Sequence, residues 1–173
     1  MGDESSRGRP AGLARRLAAL LYDSLLVVAL AFVVTFAMLP LTRGEAILTS
    51  SQGWIGRAYH AILVAAAFGY FGWCWTRTGQ TLGLKAWRMR LETDIGGRLG
   101  WVGAAARFLL GTGMAILAGI GLWNLRSPGS ALHGAGAALL VAPLAANYLW
   151  IALDPAGRSL LELAGRTRIV RVG

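Results

Sequence analysis

The sequence predicts an all-α membrane protein, a bundle of four transmembrane helices with a small cytoplasmic β-hairpin. Apolar residues make up 55% of the 173-residue chain and charged residues only 14%, a balance that soluble domains of this size do not normally have. The apolar residues form four runs, at about residues 17–39, 58–75, 102–123 and 131–153. As a helix with a rise of about 1.5 Å per residue, the first run is long enough to cross a hydrocarbon core of about 30 Å.

The basic residues give the bundle its predicted orientation. All but three of the 17 arginines and lysines lie near the two termini or around the loop 76–101; the exceptions are Arg43, Arg57 and Arg126. Since cytoplasmic loops carry the excess of basic residues, both termini are predicted to be cytoplasmic. Because these residues occupy the gaps between apolar runs, the net charge of +9 indicates membrane topology, and no nucleic-acid partner is expected.

The segments outside the runs complete the predicted domain. Residues 1–12, rich in Gly, Ser and Arg, are expected to be a disordered cytoplasmic N-terminus, and 13–173 a single membrane domain. In the cytoplasmic loop 76–101, Trp87, Met89 and Leu91 alternate with charged residues, which predicts a strand. A turn at 94–97 allows 98–101 to return as the second strand of a hairpin. Residues 168–172 of the cytoplasmic tail 154–173 can add an edge strand.

Close packing of the helices is predicted from small residues. Because lipid tails give helices no hydrophobic reason to associate, their backbones must approach each other at small side chains. Such residues recur at every fourth position in three of the runs: Ala61, Ala65 and Gly69; Gly111, Ala115 and Gly119; and Gly134, Ala138, Ala142 and Ala146.

Four polar side chains, one in each run, are expected to meet near the cytoplasmic surface. Asp23, Tyr70, Arg107 and Asn147 each lie five or six residues, roughly 9 Å, inside the cytoplasmic end of a helix. An ionisable group at that depth costs on the order of 3 kcal/mol unless a partner offsets the cost. We expect Arg107 to be that partner for Asp23, because Arg16 leans toward the lipid head groups. Asp23 is then either half of a structural ion pair or a carboxylate that handles a proton or cation.

Several motifs resemble those of a known family. They are Arg16-x6-Asp23, Gly79-Gln80-Thr81-Leu82-Gly83 followed by the basic strand, and Arg107-Phe-Leu-Leu. From about Gly12 onward the chain resembles the RDD family of bacterial membrane proteins, for which transport, including cation/proton exchange, has been proposed. The resemblance places the family motif at Arg16, Asp23, Gly79, Gln80, Thr81, Gly83, Arg107, Asp154 and Glu162. Glu162 stands where the second aspartate of the family is usual, and Arg166 replaces a frequent glycine.

Two classes of function are consistent with these features. One is a transporter or cation/proton exchanger of the bacterial inner membrane that uses Asp23, as a homo-oligomer because four helices enclose little room. The other is a non-catalytic accessory or scaffold protein whose basic cytoplasmic face contacts a partner or anionic lipid head groups. The candidate contact residues are Arg88, Arg90, Arg98, Arg166, Arg168 and Arg171. An enzyme is not expected, since no nucleophile–base pair, paired carboxylates or metal ligands can be assembled, and no cofactor is expected either.

Overall fold

Four long helices and a small sheet make up the fold. The computed structural model describes residues 11–42, 53–127, 129 and 132–172. The long helices are α1 (Leu13–Met38, continued by a 3-10 turn at Leu39–Thr42), α2 (Trp54–Arg77), α4 (Trp101–Arg126) and α5 (Ala135–Leu153). The short elements are the helices α3 (Leu82–Ala86) and α6 (Leu160–Ala164) and the strands β1 (Met89–Thr93) and β2 (Thr167–Arg171). The short elements gather where α1 and α4 begin and α2 and α5 end, which we call the sheet end of the bundle.

The helical membrane architecture is confirmed, with three helices long and apolar enough to cross a membrane. These are Leu13–Thr42, Trp101–Arg126 and Ala135–Leu153. Helix α2, which corresponds to the second predicted span, has 24 residues, a length that suffices for a crossing. It is not one of the three.

The sheet has two strands, and its second strand is not the one expected from the loop. β1 pairs antiparallel with β2, from Met89 opposite Arg171 to Thr93 opposite Thr167. The prediction that 98–101 returns as a hairpin strand is wrong: after a turn closed by the Thr93 N–H and the Gly97 carbonyl, the chain leads directly into α4. The physical reason is that Gly100 has no side chain to pack and so weakens a strand at 98–101. The tail instead supplies Thr167 and Val170, whose side chains are buried in the paired strand.

A compact apolar core lies at the sheet end. It contains Leu84, Met89, Leu91, Leu99 and several alanines, with Trp75 and Ile169 packed against them. One of those alanines, Ala11, belongs to the segment expected to be disordered, yet it is buried and its N–H donates to the Ile169 carbonyl. Gly12 is the N-cap residue of α1, and residues 1–10 of that segment lie outside the described residues.

The helices approach each other at small residues, but not at the predicted ones. Helices α4 and α5 pack at Gly121 and Ala137, where a Cβ added to Gly121 would lie 2.6 Å from the Ala137 carbonyl oxygen. All members of the three predicted sets except Gly111 are exposed. The prediction that these sets form the contacts between the helices is therefore wrong.

Candidate functional site

A buried ion pair fastens the first helix to the tail. The guanidinium of Arg16 donates to Glu162 Oε2 over 2.5 Å, and the two residues are 6% and 0% exposed. Arg16 also donates to the carbonyls of Ala11 and Gly157 at 2.8 Å each. The expectation that Arg16 points to the lipid head groups is wrong, because these three acceptors surround its guanidinium inside the protein.

Glu162 also organises the short helix on which it lies. Ser159 caps α6 by accepting from the Glu162 N–H, and Glu162 Oε2 accepts from the Ser159 N–H at 2.7 Å, so the two form a capping box. The second oxygen, Oε1, is buried without a hydrogen-bond partner among the described residues. One carboxylate thus stabilises the helix and receives the Arg16 charge.

Asp23 clamps α3 onto α1. Its carboxylate accepts from the Thr81 hydroxyl at 2.5 Å and from the Gly83 N–H at 2.8 Å. Thr81 in turn caps α3 by accepting from the Leu84 N–H. Glycine is required at Gly83 because a Cβ there would overlap the Ala19 carbonyl oxygen and lie 2.8 Å from Asp23 Cγ. In the folded protein these two donors therefore take the place of water molecules that would otherwise hydrate the carboxylate.

The predicted ion pair between Asp23 and Arg107 does not form. Neither residue takes part in any of the three ion pairs found in the described part of the chain. Arg107 instead donates to the Thr167 hydroxyl at 3.2 Å, and its guanidinium lies 5.7 Å from the ring centre of Trp75. The hydrogen bond joins α4 to β2, and the cation–π contact joins α4 to α2.

The other two members of the predicted polar set also tie long helices to short ones. Asn147 Oδ1 accepts from the Leu161 N–H at 2.8 Å, joining α5 to α6. The Tyr70 hydroxyl accepts from the Leu82 N–H at 3.0 Å, joining α2 to α3. All four predicted residues thus lie at the sheet end, each bonded to a short element, and two of them, Asp23 and Tyr70, also interact with each other through a side-chain hydrogen bond.

A cavity of about 510 Å³ lies between the long helices and brings several of these groups together. Its polar end holds Arg16, Asp23, Thr81, Arg107, Asn147, Tyr148 and Ser159. Away from that end the walls are apolar, with Val27 of α1, Leu63 of α2, Met114 of α4 and Leu144 of α5. The volume falls within the range of about 300–1,000 Å³ typical of small-molecule sites.

The remaining motif residues shape the loops around this site. Gly79 has φ +71, and a Cβ there would lie 2.6 Å from the Leu91 carbonyl oxygen. Gln80 donates to the Met89 carbonyl at 2.7 Å and so holds the start of β1. Asp154, just after α5, accepts from the backbone and side chain of Arg158; these hydrogen bonds lower the pKa of the Asp154 carboxyl below its ordinary value.

The basic residues predicted to contact lipid differ in their surroundings. Arg88 and Arg171 line a cleft of about 400 Å³ together with Arg15 and Trp87. Arg168 pairs with Glu92 at 3.8 Å, and the Nε atoms of Arg90 and Arg168 are buried without a hydrogen-bond partner in the described structure. Arg98 and Arg166 are exposed, and Arg166, at the position of a frequent family glycine, has a left-handed φ of 48°.

The sequence did contain a signal for the contacts that we did not predict. Ser159-x-x-Glu162 is the pattern of a capping box before an apolar stretch, and it would have identified α6. It would also have predicted that the Glu162 carboxylate is held in place by the Ser159 N–H. Arg15 was counted only among the basic residues that predict the orientation in the membrane. Nothing in its position along the sequence indicates that it shares a cleft with Arg171.

The comparison with known proteins gives one finding. The model described as the RDD family matches residues 10–161, the same family that the motifs resemble. The match includes Arg16, Asp23, Arg107 and the Gly79–Gly83 segment, and it ends one residue before Glu162. No curated protein and no solved structure matches the chain.

Proposed function

This chain belongs to the RDD family, and from that premise we propose that it is a membrane transporter of the cation/proton exchange type. Family membership and three apolar helices make it a membrane protein. In the proposal, Asp23 is the group that alternately carries a proton and a cation. The cavity between the long helices supplies the space in which it exchanges them.

The observation that carries the proposal is the surroundings of the Asp23 carboxylate. It borders the cavity, and its hydrogen-bond donors are the hydroxyls of Thr81 and Tyr70 and the backbone N–H of Gly83, all uncharged. A carboxylate held in place without a protein cation favours a proton or a bound metal cation as its counter-charge. The side chains of Thr112, Asn147 and Tyr148 also line the cavity, and their oxygens are the ligand type that hard cations prefer.

Asp23→Asn should abolish exchange while leaving the protein folded. Asparagine can still accept from the Gly83 N–H, but it cannot be protonated or carry a negative charge. The measurement is cation-driven dissipation of a pH gradient by purified protein in liposomes, with Na⁺, K⁺ and Li⁺ tested separately. Wild type should exceed protein-free liposomes for at least one cation, and Asp23→Asn should fall to their level.

The matched control is Glu92→Gln, which removes a carboxylate that lies in β1 and does not line the cavity. Its exchange rate should equal that of wild type. Exchange that persists in Asp23→Asn, or a wild type with no exchange for any cation, contradicts the proposal. Thermal stability of each variant in detergent separates loss of exchange from loss of fold.

The proposed topology has four spans, α2 included, with the sheet end and both termini in the cytoplasm of a bacterial inner membrane. Helix α2 packs against α1 and α4 within the bundle, and Phe71, Trp73 and Trp75 near its end suit a membrane–water boundary. A reporter enzyme that is active only outside the cytoplasm should be active when inserted at Gly129 and inactive when fused after Gly173. Activity after Gly173 together with inactivity at Gly129 would contradict this topology.

A second candidate function is an accessory protein that binds anionic lipid at the sheet end. The observation that favours it is the cleft where Arg15, Arg88 and Arg171 converge beside Trp87. A basic residue near an anionic surface contributes about 1 kcal/mol. None of the three takes part in the ion pairs of the described residues, so all three remain available for a phosphate.

The double variant Arg88→Gln, Arg171→Gln should weaken binding of phosphatidylglycerol by about 30-fold, since two charges are worth about 2 kcal/mol. Binding can be titrated by native mass spectrometry of protein released from detergent. The matched control, Arg98→Gln with Arg166→Gln, removes the same charge from exposed positions outside the cleft. Equal losses in the two double variants would show a diffuse basic surface and no specific site.

A further inference from the structure

We infer that the cavity between the long helices binds a single-chain amphiphile with a carboxylate head group, and that Arg107 is the residue that binds the carboxylate. The inference concerns what occupies the cavity and does not depend on exchange at Asp23. It rests on the position of Arg107, the two-part lining of the cavity and the weak packing between α1 and α5.

Arg107 is a guanidinium without an acidic partner. It lies in the second turn of α4 and lines the polar end of the cavity. No carboxylate of the described residues forms an ion pair with it. Arg16 and Glu162 both act on it electrostatically, but they are bonded to each other and their opposite charges largely cancel. Arg107 therefore keeps a positive charge that no ion pair of the described residues neutralises, at the same end of the cavity as the Asp23 carboxylate.

The guanidinium also has donors to spare. Arginine carries five N–H groups in a planar fork, and the hydrogen bond that Arg107 forms with a described residue uses only NH1, toward Thr167. The cation–π contact with Trp75 uses no donor. An arginine held in this way is suited to a bidentate bond with one carboxylate. One guanidinium matches a head group with one negative charge.

The rest of the cavity suits an alkyl chain. From Arg107 to Met114 on α4 is seven residues, about 10 Å along the helix, and over that length the lining changes from polar to apolar. The apolar wall includes Val27, Leu63 and Leu144 from the three facing helices. A volume of about 510 Å³ accommodates one chain, not the two chains and glycerol of a phospholipid.

The bundle is weakly packed between α1 and α5. Helix α5 packs chiefly on α4, and α1 on α2 and α3, whereas α1 and α5 touch at few positions. In a membrane this side faces lipid. An amphiphile dissolved in the bilayer can therefore enter sideways, with its head at the sheet end and its chain toward the membrane centre.

The test is binding of palmitate to the full-length protein in nanodiscs of phosphatidylcholine, followed by isothermal titration calorimetry. Wild type should bind one palmitate per chain with saturation. Hexadecanol, which has the same chain and no charge, and acetate, which has the charge and no chain, should each bind at least about tenfold more weakly. Equal binding of palmitate and hexadecanol would overturn the assignment of the head group.

Two pairs of variants locate the site. Arg107→Gln should weaken palmitate binding at least about tenfold, whereas Arg126→Gln, which removes an exposed arginine from the other end of the same helix, should not. Met114→Trp, which fills the apolar part, should prevent binding with Arg107 intact, and Leu117→Trp on the exposed face of α4 should not. If Arg107→Gln fails to fold, the tryptophan pair decides the matter, and binding that survives Met114→Trp overturns the inference.

A final arm separates the free amphiphile from a membrane phospholipid. Nanodiscs that contain phosphatidylglycerol should leave the palmitate affinity of wild type within about twofold of its value in phosphatidylcholine. Strong competition would show that a two-chain lipid occupies the cavity and would contradict our choice of ligand. The exchange assay, run without palmitate, remains an independent measure of the role of Asp23.

Discussion

Replacing Glu162 by glutamine should lower the free energy of unfolding by about 3–5 kcal/mol, because it leaves the buried Arg16 charge without its counter-charge. Arg16 is 6% exposed and Glu162 is fully buried, so water cannot take the place of the lost partner. The change also weakens the capping box, since a glutamine oxygen is a poorer acceptor for the Ser159 N–H than a carboxylate. Unfolding monitored in mild detergent is the measurement.

A double-mutant cycle shows whether the loss of stability comes from the interaction between Arg16 and Glu162. Arg16→Gln alone should cost a similar amount, and the double variant should be more stable than the sum of the single losses predicts, because it leaves no uncompensated charge. Additive losses would mean that Arg16 and Glu162 do not interact. Glu92→Gln is the matched control: it breaks the part-exposed pair with Arg168 and should cost at most about 1 kcal/mol.

The family position of Glu162 acquires a physical meaning from this pair. The usual residue there is aspartate, which has the same charge and a side chain shorter by one methylene. In this chain the carboxylate must reach Arg16 and the Ser159 N–H at once. The longer side chain reaches both. The substitution therefore keeps the negative charge, and the additional methylene helps the carboxylate to reach both donors.

The helices and the depth of the polar residues were predictable from the sequence, because both depend on local pattern. A long apolar run predicts a membrane-spanning helix. Counting residues inward from the predicted cytoplasmic end of each helix places four side chains at the same depth: Asp23, Tyr70, Arg107 and Asn147. The structure brings all four to the sheet end. The tail strand predicted at 168–172 also forms, at Thr167–Arg171.

The partners of those residues were not predictable, because they lie on segments whose position is set by the whole fold. Asp23 was expected to need a charge, but α3 offers it a hydroxyl and a backbone N–H, which no count along α1 can reveal. Arg16 finds Glu162 146 positions away. The small-residue pattern failed similarly: period alone does not say which face of a helix meets its neighbour, and the close approach occurs at Gly121 and Ala137.

Gly83→Ala should be the most damaging addition of a single methyl group in the loop between α2 and α4. The new Cβ would overlap the Ala19 carbonyl oxygen and lie 2.9 Å from Asp23 Oδ1, and backbone cannot move aside as a flexible side chain can. Overpacking of this kind costs about 1–3 kcal/mol. Pushing α3 away from α1 also stretches both hydrogen bonds to Asp23, each worth about 0.5–1.5 kcal/mol, so the expected total is about 3–4 kcal/mol.

The same substitution at Gly119 isolates the steric effect from the change of residue type. Nothing lies within 4 Å of a Cβ added at Gly119, in the middle of α4, and alanine is the better helix former by about 1 kcal/mol. Gly119→Ala should therefore unfold in detergent at the wild-type temperature or above it, and Gly83→Ala well below it. If the two variants unfold at the same temperature, α3 does not pack on α1 through Gly83, and the clamp on Asp23 is not part of the folded state. The Asp23 carboxylate should also become more accessible in Gly83→Ala, so modification by a water-soluble carbodiimide should be faster there than in wild type.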